Sequence, residues 1–199
     1  MPLATHSVAG SDTTATALRV TLLHIITNPR VYHTLSTEIH TAISQDLISS
    51  PIITDAEAKS LPYLQAVIRE GLRIWPPVSA WLEKEVPASG DVIEGRFVPG
   101  GTKIAVAGWA MQRATEVYGS DVDVFRPERW LEAGPEKARE MNRILDLIFG
   151  FGRFGCLGRA IAWVELDKVF VVVSSYTLCC LSMDAPFRAC VDGVRKNKG

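Results

Sequence analysis

The chain has 199 residues, of which 47% are hydrophobic and 22% are charged. These proportions are typical of a globular domain and argue against a disordered chain. The formal net charge of −1 provides no basic field for DNA or RNA, so nucleic acid is excluded as a partner and function has to come from local chemistry.

Helical patterns occupy the first part of the chain. After the polar run at 11–14, apolar residues recur at positions Leu18, Leu22, Leu23, Ile25 and Ile26. Asn28-Pro29 is typical of a helix start, with asparagine as the N-cap and proline at the first helical position. The helix that follows has one apolar side at the helical period, made of Val31, Leu35, Ile39 and Ile43.

Two more helices are predicted before residue 76. Thr54 and Glu57 have the spacing of a capping box and open a short helix. Pro62 begins a longer helix, and Pro76-Pro77 ends it because proline cannot continue a helix. The apolar positions of this longer helix are Leu64, Val67, Ile68 and Leu72.

The pattern changes to short β-type runs over 81–107, separated by turn signals at 94–95 and 99–101. The runs are Val86, 92–93, 97–98 and 104–106. A meander rich in Pro, Arg and Trp follows to about Met141, and a glycine-rich loop then leads into a last long helix over 157–181. The predicted fold class is mainly α with a small antiparallel β-sheet.

The cysteines are Cys156, Cys179, Cys180 and Cys190. None has Cys-x-x-Cys spacing, which disfavours zinc and iron–sulfur sites, and the chain has no secretory signal, so a reducing compartment is expected. Cys179 and Cys180 are predicted to pack as small hydrophobic residues. Their apolar run, 169–183, is shorter than the roughly 20 residues of a membrane span and predicts a buried helix.

Residues 149–158 carry the strongest chemical signal, reading Phe-Gly-Phe-Gly-Arg-Phe-Gly-Cys-Leu-Gly. Their glycines let the backbone approach a ligand and adopt positive φ. Cys156 lies where this loop meets a helix, and the free N–H groups and the dipole at a helix start favour the thiolate. An electron-rich thiolate is an axial ligand of haem iron; the alternative is a buried structural cysteine.

Glu70 and Arg73 are three residues apart on a predicted helix and can form an ion pair. Such a pair usually lies on the surface and contributes little. Its apolar neighbours Val67, Ile68 and Leu72 predict a buried pair instead.

These residues resemble the motifs of the cytochrome P450 superfamily, and of its fungal members in particular. The loop 149–158 is similar to the haem-binding signature, and Glu70-Gly-Leu-Arg73 to the Glu-x-x-Arg motif. Residues 125–130, Phe-Arg-Pro-Glu-Arg-Trp, are similar to the Pro-Glu-Arg segment, and 9–14, Ala-Gly-Ser-Asp-Thr-Thr, to the oxygen-activation motif. The motifs occur in the family's order and approximate spacing, and together they span nearly the whole chain.

The resemblance implies that residues 1–199 form the C-terminal part of the cytochrome P450 fold, from the distal helix to the last helix, with the N-terminal half of the usual domain absent. It implies haem b, with Cys156 as the iron ligand. The resemblance also implies that Arg129 forms a charged triad with Glu70 and Arg73, and that this triad is needed for haem incorporation. The loop residues expected to hold the haem are Phe149, Gly150, Gly152, Arg153, Cys156 and Gly158.

The resemblance also assigns Asp12 and Thr13 as an acid–alcohol pair that relays protons to bound oxygen. Gly10 and its polar neighbours make a poor helix locally, so a widened turn over the haem is expected; the alternative is a frayed terminus. The family commonly has a basic residue two positions before the cysteine, where it meets a haem propionate. This chain has Phe154 there, and whether Arg153 serves instead is open.

The implied function is a monooxygenase, or the C-terminal part of one, that inserts one atom of O2 into a lipophilic substrate in secondary metabolism. Electrons would come from NADPH through a flavoprotein reductase, at the cytoplasmic face of the endoplasmic reticulum membrane for a full-length form; no anchor is expected in this chain. The alternative is a non-catalytic remnant or haem-binding module. A reductase is expected to meet the cationic residues Lys137, Arg139, Arg143, Arg153 and Arg159, unless they form only a solvated face. The residues expected to border the substrate pocket, or simply to enter a strand, are Val78, Ser79 and Ala80.

Overall fold

The computed structural model describes residues 3–49 and 52–182, with the side chains of 9–49 and 52–174. Helices dominate this part of the chain, which confirms the predicted mainly α class. The helices are α1 (Leu3–Thr27), α2 (Pro29–Ser44), α3 (Asp55–Lys59), α4 (Pro62–Ile74), α5 (Gly108–Met111), α6 (Thr115–Tyr118), α7 (Glu128–Glu132), α8 (Pro135–Asp146) and α9 (Arg159–Ser182). The strands are β1 (Leu82–Glu85), β2 (Asp91–Ile93), β3 (Arg96–Val98) and β4 (Lys103–Val106).

The strands form two separate antiparallel pairs. β1 pairs with β4, with Leu82 opposite Val106, and β2 pairs with β3, with Asp91 opposite Val98. The predicted β runs coincide with these strands, except that Val86 lies just beyond β1. The expected single small sheet is therefore two short two-stranded sheets in the described residues.

The predicted helix starts are confirmed by their capping bonds. Asn28 Oδ1 accepts from the Val31 amide at 3.4 Å, and Thr54 and Glu57 make both bonds of the capping box. The start of α4 is capped from another helix, because Glu38 of α2 accepts the Tyr63 amide at 2.7 Å and the Leu64 amide at 2.8 Å. Burial raises the pKa of the Glu38 carboxyl, and these two backbone bonds oppose that rise.

Helix α4 lies at the centre of the core, and nearly all of its residues from Tyr63 to Ile74 are buried. α1, α7 and α9 pack around it. At the crossing with α1, a Cβ at Gly71 would lie 1.9 Å from Thr21 Oγ1, so only glycine permits this close approach. Other fully buried core residues come from α2, α8 and α9, among them Leu35, Ile39, Leu145 and Leu166.

The meander differs from its prediction at its C-terminal end. It was predicted to continue to about Met141, but α8 begins at Pro135. Only Met141 and Leu145 of α8 are buried, so its apolar pattern is too sparse to show in the sequence. Helix α9 begins at Arg159 and confirms the predicted last helix; no helix over the described ranges is long and apolar enough to cross a bilayer. The predicted packing of Cys179 and Cys180 lies outside the described side chains.

Candidate active site

The chain contains an apolar cavity of about 1080 Å³ beside the cysteine loop. Thr13 of α1 lines one side of it and Leu72 of α4 another. The loop contributes Phe149, Gly150, Cys156 and Gly158 to the same cavity. The fold thus brings residues from motifs far apart in sequence to one space.

The loop is shaped by glycine and by one short backbone bond. The Cys156 amide donates to the Phe149 carbonyl oxygen at 2.7 Å and closes the loop on itself. Gly150 has φ +76°, and a Cβ there would lie 2.8 Å from the Phe154 carbonyl oxygen. Cys156 is exposed, so its sulfur is accessible to a ligand. The alternative of a buried structural cysteine is therefore wrong.

An ion pair connects the two ends of the loop. Asp146 at the end of α8 lies 2.7 Å from Arg159 at the start of α9. The Arg159 guanidinium carbon also lies 5.7 Å from the centre of the Phe149 ring. The pair connects the helices that flank the loop, but both side chains are about half exposed, so its contribution to stability is small.

The Glu70 carboxylate is the centre of a buried network. Glu70 and Arg73 have 0% side-chain exposure, which confirms the predicted buried ion pair. Arg73 donates to Glu70 at 2.9 and 2.8 Å, and Arg129 donates at 3.0 Å. The Arg126 amide at 3.0 Å and the Trp130 indole N–H at 2.9 Å add two donors that sequence reasoning missed. The three members of the predicted triad are in direct contact.

Arg129 holds the meander as well as Glu70. Its guanidinium donates to Asp121 Oδ1 at 2.8 Å, to the Asp121 carbonyl oxygen at 3.0 Å and to the Val124 carbonyl oxygen at 3.1 Å. A further bond reaches the Tyr118 carbonyl oxygen. Since the planar guanidinium has donors in a fixed fork, one buried side chain fixes several turns of irregular backbone.

A second set of bonds links this network to the helix before the cysteine loop. Arg73 donates to the Gln112 carbonyl oxygen at 2.8 Å, and the Gln112 amide group donates to the Ile144 carbonyl oxygen at 2.9 Å. The Tyr118 hydroxyl lies 2.9 Å from Gln112 Oε1 and 3.2 Å from the Met141 carbonyl oxygen. Burial raises the pKa of Tyr118, so its hydroxyl keeps the proton that it donates.

The distal segment of α1 is regular helix. Thr13 Oγ1 donates to the Ala9 carbonyl oxygen at 2.9 Å within a continuous α-helix, so the expected widened turn is not formed. The back-bond occupies the threonine proton and leaves the helical ladder intact. Ser11 and Thr14 also line the cavity, whereas Asp12 is exposed and does not line it. Of the predicted acid–alcohol pair, only the alcohol faces the cavity.

Two cations lie close to the ring of Phe154. Lys84 Nζ is 4.8 Å from the centre of its ring and 3.1 Å from the Phe151 carbonyl oxygen. The Arg153 guanidinium carbon is 4.7 Å from the same ring, although neither Arg153 nor Gly152 lines the cavity. The sequence analysis did not identify Lys84, because no sequence pattern relates this lysine to Phe151, which lies 67 residues later.

The remaining candidates are placed as follows. Val78 lines the cavity, but Ser79 and Ala80 do not. Three of the five candidate cations for a reductase are already paired with acidic side chains, which reduces the positive charge they offer a partner. These three are Lys137 with Glu140, Arg139 with Glu136 and Arg159 with Asp146.

This site fits a flat, largely apolar cofactor that carries carboxylates and an iron atom. The cavity wall is mainly apolar, the Cys156 sulfur is accessible beside it, and Lys84 and Arg153 provide positive charge close to Phe154. An accessible thiol in a glycine-shaped loop, three residues before α9 and beside an apolar cavity, offers a sulfur ligand to such an iron atom.

The cytochrome P450 family model matches residues 3–177, and the chain therefore belongs to the cytochrome P450 family. Membership implies haem with thiolate ligation. A cytochrome P450 monooxygenase ABA1 of Pyricularia oryzae is 49% identical over 82% of this chain and 32% of its own length. A cytochrome P450 monooxygenase aba1 of Botryotinia fuckeliana is 43% identical over 90% of this chain and 35% of its own.

A third fungal relative, named pisatin demethylase, from Fusarium vanettenii, is 43% identical over 80% of this chain and 29% of its own length. The chain thus spans about a third of the length of the curated relatives that it matches. The predicted resemblance to fungal members is confirmed.

Proposed function

We propose that this chain supplies the iron ligand and part of the oxygen side of a haem-dependent monooxygenase. The enzyme inserts one atom of O2 into a lipophilic organic substrate in secondary metabolism. The observation that carries this proposal is that Cys156 and Thr13 line the same apolar cavity. Haem b, when bound, supplies the iron chemistry that activates O2.

The described residues contribute binding, orientation and proton handling. The Cys156 thiolate is proposed to hold the iron, with Phe149, Gly150, Gly152 and Gly158 forming the loop around it. Glu70, Arg73 and Arg129 are positioning residues, since they contact the meander, whose Gln112 bonds to α8, but do not line the cavity. The apolar wall, including Val78, favours a lipophilic substrate.

The electron supply and the location follow from the family and are also proposals. Electrons come from NADPH through a flavoprotein reductase that approaches the side of α8 and the loop. A full-length form is expected at the cytoplasmic face of the endoplasmic reticulum membrane.

The deciding experiment is optical. The chain is reconstituted with haem, reduced and exposed to carbon monoxide. A strongly red-shifted Soret band is expected, because a thiolate donates electron density to the iron. Absence of haem uptake, or a band without the red shift, would contradict the proposal.

A non-catalytic haem-binding module is a second candidate. The exposure of apolar side chains near the cavity favours it. Leu157 is 92% exposed and Phe151 72% exposed beside the loop, so a haem held there would admit water. The two candidates differ in product formation. A red-shifted Soret band without substrate oxidation, when reductase and NADPH are supplied, would favour the module.

Thr13 is proposed to hold a proton at its Oγ1 within the cavity, while the exposed Asp12 delivers protons from solvent. In a form of the enzyme that turns over, Thr13→Ala is expected to consume reductant with roughly 10²-fold less product, the lower end of typical general acid–base contributions. Coupling of product to NADPH consumed is the measurement. Thr13→Ser keeps the hydroxyl and should restore coupling, and Thr16→Ala, outside the cavity lining, is the control. Full coupling in Thr13→Ala would remove this role.

Lys84 and Arg153 are proposed to bind the haem carboxylates in place of the basic residue that Phe154 replaces. Lys84→Gln is expected to weaken haem binding about tenfold, as for loss of one charge-assisted bond. Titration of the chain with haem, followed by absorbance, gives the affinity. Lys103→Gln is the matched control, since Lys103 lies on the paired strand β4 and contacts Glu83 instead. Equal affinities for the two variants would argue against Lys84.

A further inference from the structure

One aspartate of α3 and one of α9 lie where these two helices pack against each other, outside the lining of the cavity beside the cysteine loop. Asp167 of α9 has 0% exposure. Its Oδ1 accepts from the Gln65 amide group at 2.7 Å, and that amide group also donates to the Ala58 carbonyl oxygen at 3.2 Å. Asp167 Oδ2 is buried and has no donor among the described residues.

The group that faces Asp167 is the side chain of Asp55 in α3. Asp55 Oδ2 accepts from Lys59 Nζ at 2.5 Å. Asp55 Oδ1 is buried and, within the part of the chain that the structure describes, lacks a donor of its own. The two aspartates are in hydrogen-bond contact through their side chains. Two carboxylates offer only acceptors, so this contact requires a proton between them.

Among the described residues, no cation forms a salt bridge with Asp167. Lys59 is already bound to Asp55 and acts on Asp167 only at longer range, as does Arg69 of α4. Arg69 instead donates to Asn142 at 3.1 Å. The buried faces of α1 and α2, which also pack on α9, carry no charged side chain. Their buried residues are Ala17, Thr21, Ile25, Val31, Leu35, Ser36, Ile39 and Ala42.

We propose that Asp55 and Asp167 share one proton and that this proton holds α3 against α9, so that the contact loosens when the pH rises. Asp55 Oδ1 and Asp167 Oδ2 are buried, although the Asp55 side chain as a whole is 35% exposed. Two negative charges on these oxygens would repel, and a single shared proton replaces that repulsion with a bond. We call this proton-dependent contact between Asp55 and Asp167 the latch. α9 begins three residues after Cys156, so the latch acts on the helix that follows the iron-ligand loop.

The expected pH dependence follows from the direction of the shift. Burial, followed by the neighbouring Asp55, raises the pKa of Asp167 above its ordinary value of 3.8. The folded chain therefore binds more protons than the unfolded chain between 3.8 and the raised pKa. Stability is greatest below this interval and falls as the pH rises through it. The ratio of folded to unfolded chain is expected to drop by up to about tenfold per pH unit there.

Asp167→Asn and Asp55→Asn test the shared proton, because either amide supplies a permanent N–H to the other side chain. Urea unfolding of the full chain is measured from pH 4 to pH 9, together with deuterium exchange of the α3 amides. Both variants are expected to lose the part of the pH slope that the aspartate pair contributes, while the raised pKa of Glu38 contributes equally to all the chains compared. Asp167→Asn should exceed the parent in its ratio of folded to unfolded chain about tenfold at pH 8. Glu85→Gln, the same change at an exposed position, is expected to keep the parental slope.

Each result bears on the proposal. A slope that stays parental in Asp55→Asn but becomes shallower in Asp167→Asn would mean that Asp167 titrates alone, and the latch would be wrong. Failure of Asp167→Asn to fold, or unchanged protection of α3 across the pH range, would also overturn it. None of these measurements uses haem, so a negative result leaves the proposed monooxygenase site as it stands.

Discussion

Replacement of Cys156 by serine is expected to abolish the red-shifted Soret band of the reduced, carbon monoxide-treated chain. A serine hydroxyl stays protonated and neutral near pH 7, whereas a cysteine binds a metal ion as the thiolate. The electron-rich sulfur is what produces the shift, so the loss should be complete. The measurement is the absorbance spectrum of both proteins after identical reconstitution.

Folding and thiol content need separate controls in this experiment. Serine differs from cysteine by one atom, so the closing bond between the 156 amide and the Phe149 carbonyl oxygen should persist, and circular dichroism should show unchanged helix content. Cys190→Ser removes a different thiol and is expected to leave the red-shifted band intact. A parental spectrum from Cys156→Ser would show that another group binds the iron.

Local patterns in the sequence predicted the parts of this site that depend on local geometry. The positive φ of Gly150 and the steric limit at the same residue are properties of a few consecutive residues. The capping box of Thr54 and Glu57 is equally local. Glu70 and Arg73 share a helix face because of their spacing, and their apolar neighbours predicted the burial that the structure shows.

The sequence could not predict contacts that depend on chain segments meeting in space. Trp130 donates to Glu70 across 60 positions, and Lys84 reaches Phe151 across 67. α8 was missed because most of its surface is polar, and the orientation of Asp12 away from the cavity depends on the rotation of α1 against its neighbours. These features are set by packing, and periodicity carries no information about them.

The Glu70 carboxylate accepts bonds from Arg73, Arg126, Arg129 and Trp130, so its removal is expected to have the largest effect on stability. Glu70→Ala leaves the guanidinium groups of Arg73 and Arg129 buried without their carboxylate. Loss of one partner from a buried ion pair typically costs about 3–5 kcal/mol, a large part of the usual stability of a domain. The variant should fail to retain haem, because the meander loses the buried bonds from Arg126, Arg129 and Trp130 that hold it against α4.

Glu136→Ala is the matched control for this prediction. It breaks a pair with Arg139 that has the same i,i+3 spacing, but the two side chains are 88% and 72% exposed. Surface pairs contribute about 0–1 kcal/mol, so haem retention after gel filtration should equal that of the parent. Glu70→Gln keeps the volume and part of the acceptor capacity, and its unfolding free energy should fall between those of Glu70→Ala and the parent. If Glu70→Ala gave a stable holoprotein with the parental spectrum, the buried charge would not be required for haem incorporation, and the positioning role of the triad would have to be abandoned.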